Sequence, residues 1–163
     1  MLEKKKILRK IIKVRVSAIS ADEKAKREKL LLDNLFSMPE FLAANTVMLF
    51  ANLPDEIGTF SLIDKCIAMG KKVFLPVING DDMTVAEFTG EYRVGRYDIK
   101  EPVVKQLVVN DSVPEPVDVL MTGGNNGPEH FDFVLVPGVA FSSNGYRLGR
   151  GKGYYDKFLS KYT

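Results

Sequence analysis

Apolar positions along the chain change their spacing several times, and each change marks a different element. Ile7, Leu8, Ile11, Ile12 and Val16 recur at helical spacing, which predicts an amphipathic first helix packed on a body. Ser20-Ala21-Asp22-Glu23 reads as a capping box opening a second helix to about Phe36. Ser37-Met38-Pro39-Glu40 looks like the start of a short helical turn. Thr46 to Phe50 is then a compact apolar strand, and a loop over Ala51 to Gly58 leads to a helix from about Thr59 to Met69, closed by Gly70. Lys72 to Ile78 and Met83 to Phe88 read as strands, and Phe133 to Gly138 as a buried one. A helical stretch begins near Tyr154. Residues 89–130 hold Gly, Pro and Asn clusters, notably Thr122 to Pro128, that mark turns and long loops. Strands alternating with helices predict an α/β layered domain around a largely parallel sheet.

The 163 residues suit one domain with a substantial core. No apolar run is long enough to span a bilayer, and the charged, periodic start does not read as a signal peptide. A lone cysteine, Cys66, lies on an apolar helical face and reads as core, which fits a reducing cytoplasm. His130 stands alone in a loop, so neither a Cys/His nucleophile pair nor a zinc cluster can be assembled. Charge is uneven: eleven Lys or Arg face four acids through residue 29, a local +7 that leaves −5 for the rest of a chain at +2. Such a basic head could hold nucleic acid or an acidic surface, or be a solvated helix face. The scarcity of aromatics near it weighs against single-strand stacking, so no nucleic-acid partner is expected; no membrane partner is expected either.

The densest chemistry lies in Gly145-Tyr146-Arg147-Leu148-Gly149-Arg150-Gly151-Lys152-Gly153-Tyr154-Tyr155-Asp156. Alternating glycines let backbone N–H groups approach a ligand, and Arg and Lys add charge-assisted hydrogen bonds. The layout suits a polyphosphate cradle that ends in a metal-binding carboxylate. It is not a Walker loop, because no Ser or Thr follows the Lys, and G-x-G-x-x-G is absent. A second loop, Ala51-Asn52-Leu53-Pro54-Asp55-Glu56, directly follows a strand, where ligands gather in such sheets. Its two carboxylates could orient amide or amine donors, or simply favour the following helix dipole.

Val136-Pro137-Gly138-Val139-Ala140-Phe141, followed by the glycine-rich run to Asp156, closely resembles the 5-formyltetrahydrofolate cyclo-ligases, or methenyltetrahydrofolate synthetases. The resemblance extends to Lys5-x-x-Leu8-Arg9, to Asp55-Glu56-Ile57 and to Glu101-Pro102. It implies ATP- and magnesium-dependent cyclisation of 5-formyltetrahydrofolate to 5,10-methenyltetrahydrofolate, with release of ADP and phosphate. The formyl oxygen would be phosphorylated, after which N10 attacks and phosphate departs. Phosphoryl transfer of this kind rests on positioning and charge neutralisation more than on a protein nucleophile.

By the same resemblance, Lys5 and Arg9 reach ATP, while Arg147, Leu148, Gly149, Arg150, Gly151, Lys152, Gly153, Tyr154 and Tyr155 wrap its phosphates. Arg150 and Lys152 stabilise charge on the transferred group, and Asp156 holds Mg2+. Glu56, with the Ala51 backbone nearby, contacts the reduced pterin, and Tyr154 lines the folate side. The implied fold is a three-layer α/β/α domain resembling the ribose-phosphate isomerase and coenzyme A transferase group. A cytoplasmic monomer acting on a folate, polyglutamylated or not, is expected. Ser142 stands where the family usually has Asp. Relative to the family pattern, the expected single domain over 1–163 lacks a C-terminal segment that carries a further metal-associated Asp.

Overall fold

The computed structural model describes residues 2–95, 99–103 and 127–161. The turn cluster at Thr122 to Asn126 lies outside the described residues. Helices α1 (Leu2–Ser17), α2 (Ala21–Ser37) and α3 (Pro39–Ala43) precede strand β1 (Thr46–Met48). Helix α4 (Phe60–Ala68) leads to β2 (Lys72–Asn79) and β3 (Asp82–Glu87). Short strands follow: β4 (Tyr92–Val94), β5 (Lys100–Pro102), β6 (Phe133–Val134), β7 (Ala140–Phe141) and β8 (Arg147–Leu148), before helix α5 (Tyr154–Leu159).

The central sheet has the order β3-β2-β1-β6, with β1 parallel to both β2 and β6 and β3 antiparallel at one edge. Two small antiparallel pairs, β4 with β5 and β7 with β8, complete the described strands. Side chains alternate across the sheet as a pleated strand requires. Val47, Leu49, Val73 and Leu75 point to one face and pack with Leu35, Phe41, Leu62, Ile63 and Cys66 from α2, α3 and α4. Met48, Phe74, Met83 and Val85 point to the other, where Phe158 of α5 covers them. Helices therefore lie on both faces of a mainly parallel sheet.

Local chemistry accounts for the element ends. Ser20 caps α2 by accepting from the Glu23 N–H at 3.2 Å, while the Glu23 carboxylate pairs with Arg27. Gly70 takes φ 77° after α4, which residues with a Cβ rarely adopt. Lys71 is buried and donates from Nζ to the Leu42 and Ala44 carbonyls, satisfying the end of α3. Asp132 Oδ2 accepts from the N–H groups of Asn45 and Thr46, both at 2.8 Å, and so ties the entry of β6 to that of β1. Cys66 is fully buried, and burial pushes its thiol up to about 11 despite the nearby Lys71 charge. It is a core residue, as its helical face predicts.

Two expectations change. The apolar face of α1 is not packed away: Ile7, Leu8, Ile11, Val14 and Val16 are all exposed, and Ile12 is half-buried. At about 100° per residue these positions spread over roughly 200° of arc, more than one neighbouring surface can cover. The run Phe133 to Pro137 is half-buried rather than buried. It forms the outer strand of the described sheet, so β1 covers only one of its edges.

Candidate active site

The loop after β1 is fixed by its own side chains before any ligand is considered. Thr59, almost fully buried, donates from Oγ1 to the Phe50 carbonyl and accepts from the Asn52 N–H at 3.1 Å. Its own N–H donates to Asn52 Oδ1 at 2.8 Å. Within the loop, Glu56 Oε2 accepts from the Leu53 N–H at 2.9 Å. Helix α2 holds the loop from outside, since Glu28 Oε1 accepts from the Gly58 N–H at 2.8 Å and Lys24 Nζ donates to the Pro54 carbonyl at 3.3 Å.

The glycine-rich segment enters through the β7–β8 hairpin. Ser142 closes that hairpin: its Oγ accepts from the Tyr146 N–H at 2.9 Å and donates to Asn144 Oδ1 at 2.6 Å. A hydroxyl at this position thus serves the turn. Beyond β8 the chain passes Gly151 at φ 111° and Gly153 at φ 72° before α5. Those left-handed values are open to glycine at little steric cost, and at Gly151 an added Cβ would also press on the Arg9 guanidinium.

The cations of this segment are already engaged by protein groups. Arg150 donates from Nε to Glu56 Oε1 at 2.9 Å and from Nη2 to Asp55 Oδ1 at 2.6 Å. The Arg150 hydrogen bond, ahead of the opposing effect of burial, holds the Asp55 carboxyl below the usual range. For Arg150 itself burial alone would lower the pKa, but its hydrogen bonds to Asp55 and Glu56 outweigh that and raise it. Arg147 donates from Nη1 to the Pro137 carbonyl at 2.9 Å and pairs through Nη2 with Asp156. Arg9 of α1 donates from Nε to the Gly149 carbonyl at 2.8 Å. Tyr154 donates to the Gly80 carbonyl at 3.3 Å, which joins α5 to the turn between β2 and β3. Burial first, and the Glu56 charge second, raise the Tyr155 phenol, so it stays neutral.

One cleft of about 580 Å³ gathers the predicted residues, a size typical of small-molecule sites. Lys5, Arg9, Arg147, Arg150 and Lys152 line it together with Ala51, Glu56, Tyr154, Tyr155 and Asp156. Leu148, Gly149, Gly151 and Gly153 complete the glycine-rich wall. The positions given a role by the resemblance therefore meet in one place, whereas Asp55, the other carboxylate of its loop, is not among the lining residues and reaches the cleft only through Arg150. Further lining residues are apolar and were not foreseen: Phe50, Pro76, Ile78, Met83 and Ile99. Pro76 and Ile78 of β2 and Met83 of β3 carry no local mark of this role, and Glu101 helps to hold β2 there. That glutamate is almost fully buried, accepts from the Ile78 N–H at 2.9 Å and pairs with Arg93.

The residues can be tested against the groups the sequence implies. Clustered cations and an open glycine backbone suit a polyphosphate. Among the described residues no three His, Cys, Asp or Glu side chains converge as a metal site. Magnesium commonly takes only one or two protein carboxylates beside phosphate oxygens, and the Asp156 carboxylate in the cleft fits that pattern. No described helix is long and apolar enough to cross a membrane.

Known proteins share this chain's sequence pattern and fold. The sequence profile of the 5-formyltetrahydrofolate cyclo-ligase family matches residues 1–163. The mouse 5-formyltetrahydrofolate cyclo-ligase is 28% identical over 96% of this chain and 74% of its own length. The Escherichia coli K12 enzyme of the same name is 26% identical over 93% of this chain and 78% of its own. Among solved structures, the Aquifex aeolicus 5,10-methenyltetrahydrofolate synthetase superposes with a TM-score of 0.74 at 31% identity, covering 96% of this chain and 72% of that one. With a matched profile, a shared fold and the glycine-rich and Asp-Glu loops facing one cleft, the chain belongs to the 5-formyltetrahydrofolate cyclo-ligase family.

Proposed function

We propose that the protein converts 5-formyltetrahydrofolate to 5,10-methenyltetrahydrofolate, consuming ATP with Mg2+ and releasing ADP and phosphate. The observation that carries this reading is the Arg150 bridge, which joins the glycine-rich segment to the Asp55-Glu56 loop across a single cleft. A site needing both an anionic co-substrate and a donor-bearing ring must bring such halves within one ligand's reach.

When bound, magnesium-ATP would supply the phosphoryl group that makes the formyl oxygen a leaving group, so that N10 can close the ring. The protein's own part is positioning and charge. Lys5 and Arg9 approach from α1, and Arg9 keeps Gly149 in place. Arg147, Arg150 and Lys152 supply positive charge along the segment, with Leu148, Gly149, Gly151, Gly153 and Tyr155 shaping its wall. Arg150 and Lys152 stabilise charge on the transferred group in this reading. Asp156 would hold the magnesium, after exchanging its Arg147 partner for it.

On the folate side, Glu56 would accept from pterin N–H donors beside the Ala51 backbone, and the Tyr154 ring would stack. Ile78, Met83 and Ile99 would exclude water from the activated carbon. The proposal extends to a single domain over 1–163, cytoplasmic and monomeric. It also extends to kinship with the ribose-phosphate isomerase and coenzyme A transferase group, which helices on both faces of the sheet support.

The test is an absorbance assay in the near ultraviolet, where the methenyl product absorbs and the formyl substrate does not. Product should form only when the folate, ATP and magnesium are all present. No product from the folded protein under those conditions would end this reading.

A further inference from the structure

Asp55 is given no role in the chemistry above, yet its carboxylate pairs at 2.6 Å with Arg150, which lines the cleft. We propose that Asp55 is a positioning residue that orients Arg150 toward the transferred phosphoryl group. The inference rests on the proposed reaction and adds a residue to it.

Arginine carries five N–H donors in a planar fork. Glu56 takes Nε and Asp55 takes Nη2, which are neighbouring positions along one edge of that plane. Gripping one edge fixes both the place and the tilt of the guanidinium. It leaves the Nη1 donors and the second Nη2 hydrogen for an anion. Glu56 alone could not do this, because a single acceptor lets the plane turn about one hydrogen bond. It would also be drawn away when it accepts from the substrate. Asp55 has no such second duty, so its hold persists through the reaction.

The support for Asp55 is itself rigid. Its loop is tied to α2 at Pro54 and Gly58, on either side of Asp55, and closed internally by Leu53 with Glu56. Arg150, by contrast, is a long side chain left about two-fifths exposed, and would sample many rotamers without a partner. The Asp55 carboxylate is charged in the neutral range, as the role requires, and its hydrogen bond from Arg150 favours that charged form further. A rival role has the opposite sign: an Asp55 that merely competed with phosphate for Arg150 would weaken ATP binding.

The experiment compares steady-state kinetics of the wild-type protein, Asp55→Asn, Asp55→Glu, Arg150→Ala and the Asp55→Asn/Arg150→Ala pair. Asp55→Asn should lower kcat roughly 10- to 100-fold, the scale of small misplacements of reacting groups, with KM for ATP changed far less. Asp55→Glu should recover part of the loss. Once Arg150 is already Ala, Asp55→Asn should have no further effect, since Asp55 acts through Arg150. A merely structural role would instead lower activity by the same factor in both backgrounds, overturning the proposal. Tighter ATP binding with kcat unchanged in Asp55→Asn would overturn it as well, in favour of competition. A wild-type protein with no cyclo-ligase activity would remove the underlying reading too, whereas an active wild type with an unaffected Asp55→Asn removes this inference alone.

Discussion

Arg9 Nε donates to the Gly149 carbonyl at 2.8 Å, joining residues 140 apart in the sequence. The bond makes α1 part of the cleft, although most of that helix's surface is exposed. Arg9→Lys should keep the charge and lose this geometry, because an ammonium cannot reproduce a directed Nε donor. KM for ATP should rise by roughly tenfold, about the 1.4 kcal/mol expected of one such hydrogen bond. An unchanged KM in steady-state assays would place Arg9 outside the nucleotide site.

Lys152 and Arg150 are the cations assigned to the transferred group. Replacing either with Ala should lower kcat by about 10²- to 10³-fold, as loss of one preorganised donor does elsewhere. Rapid turnover in both variants would remove them from the reaction.

Asp156 is paired with Arg147, so in the proposed reaction the carboxylate would exchange a guanidinium for a metal. Asp156→Asn should raise the magnesium concentration that gives half-maximal rate. A magnesium titration that overlays the wild-type curve would show that Asp156 is no ligand.

Asp132 makes a prediction about pH. Hydrogen bonds from the N–H groups of Thr46 and Asn45, and then from the Thr46 hydroxyl, lower its pKa from 3.8. A lowered folded-state pKa gives stability that is present above 3.8 and is lost as pH falls through the folded value. Asp132→Asn should therefore lower the urea midpoint at neutral pH, with the gap from wild type closing at strongly acidic pH. A gap that stays constant with pH would mean that the carboxylate charge is irrelevant there.

Lys71 tests the fold rather than the site. Its Nζ donates to the carbonyls of Leu42 and Ala44 and lies 5.5 Å from the centre of the Phe41 ring. Lys71→Met should cost about 1–3 kcal/mol in chemical denaturation, because two carbonyls lose their partner in a buried setting. A loss below about 0.5 kcal/mol would indicate that water replaces the ammonium readily.

The parts of this molecule that were legible in the sequence are those where one local signal decides. Ser20 names its helix start because its side chain completes the cap within three residues. Gly70 names a helix end because its left-handed backbone needs no partner elsewhere. The cleft's charged wall was legible for the same reason, since Gly145 to Asp156 is one continuous run whose composition suits anions.

What the sequence hid depends on distant partners. Nothing around Asp55 says that Arg150 sits against it, 95 residues away. Pro76, Ile78 and Ile99 look like ordinary strand and loop residues until the folding of β2 against the β4–β5 pair turns them toward the cleft. The apolar stripe of α1 misled in the other direction. Helical spacing is clear in the sequence, but the apolar positions spread over too wide an arc for one neighbouring surface to cover.

The central claim is that phosphoryl transfer and ring closure occur in the same cleft, one driving the other. Its most direct test is the stoichiometry of ADP against methenyl product in a single reaction of the purified protein. The account predicts one ADP per methenyl group formed, with neither appearing when the folate or ATP is omitted. ADP release that continues without the folate, or methenyl product formed without ADP, would contradict it.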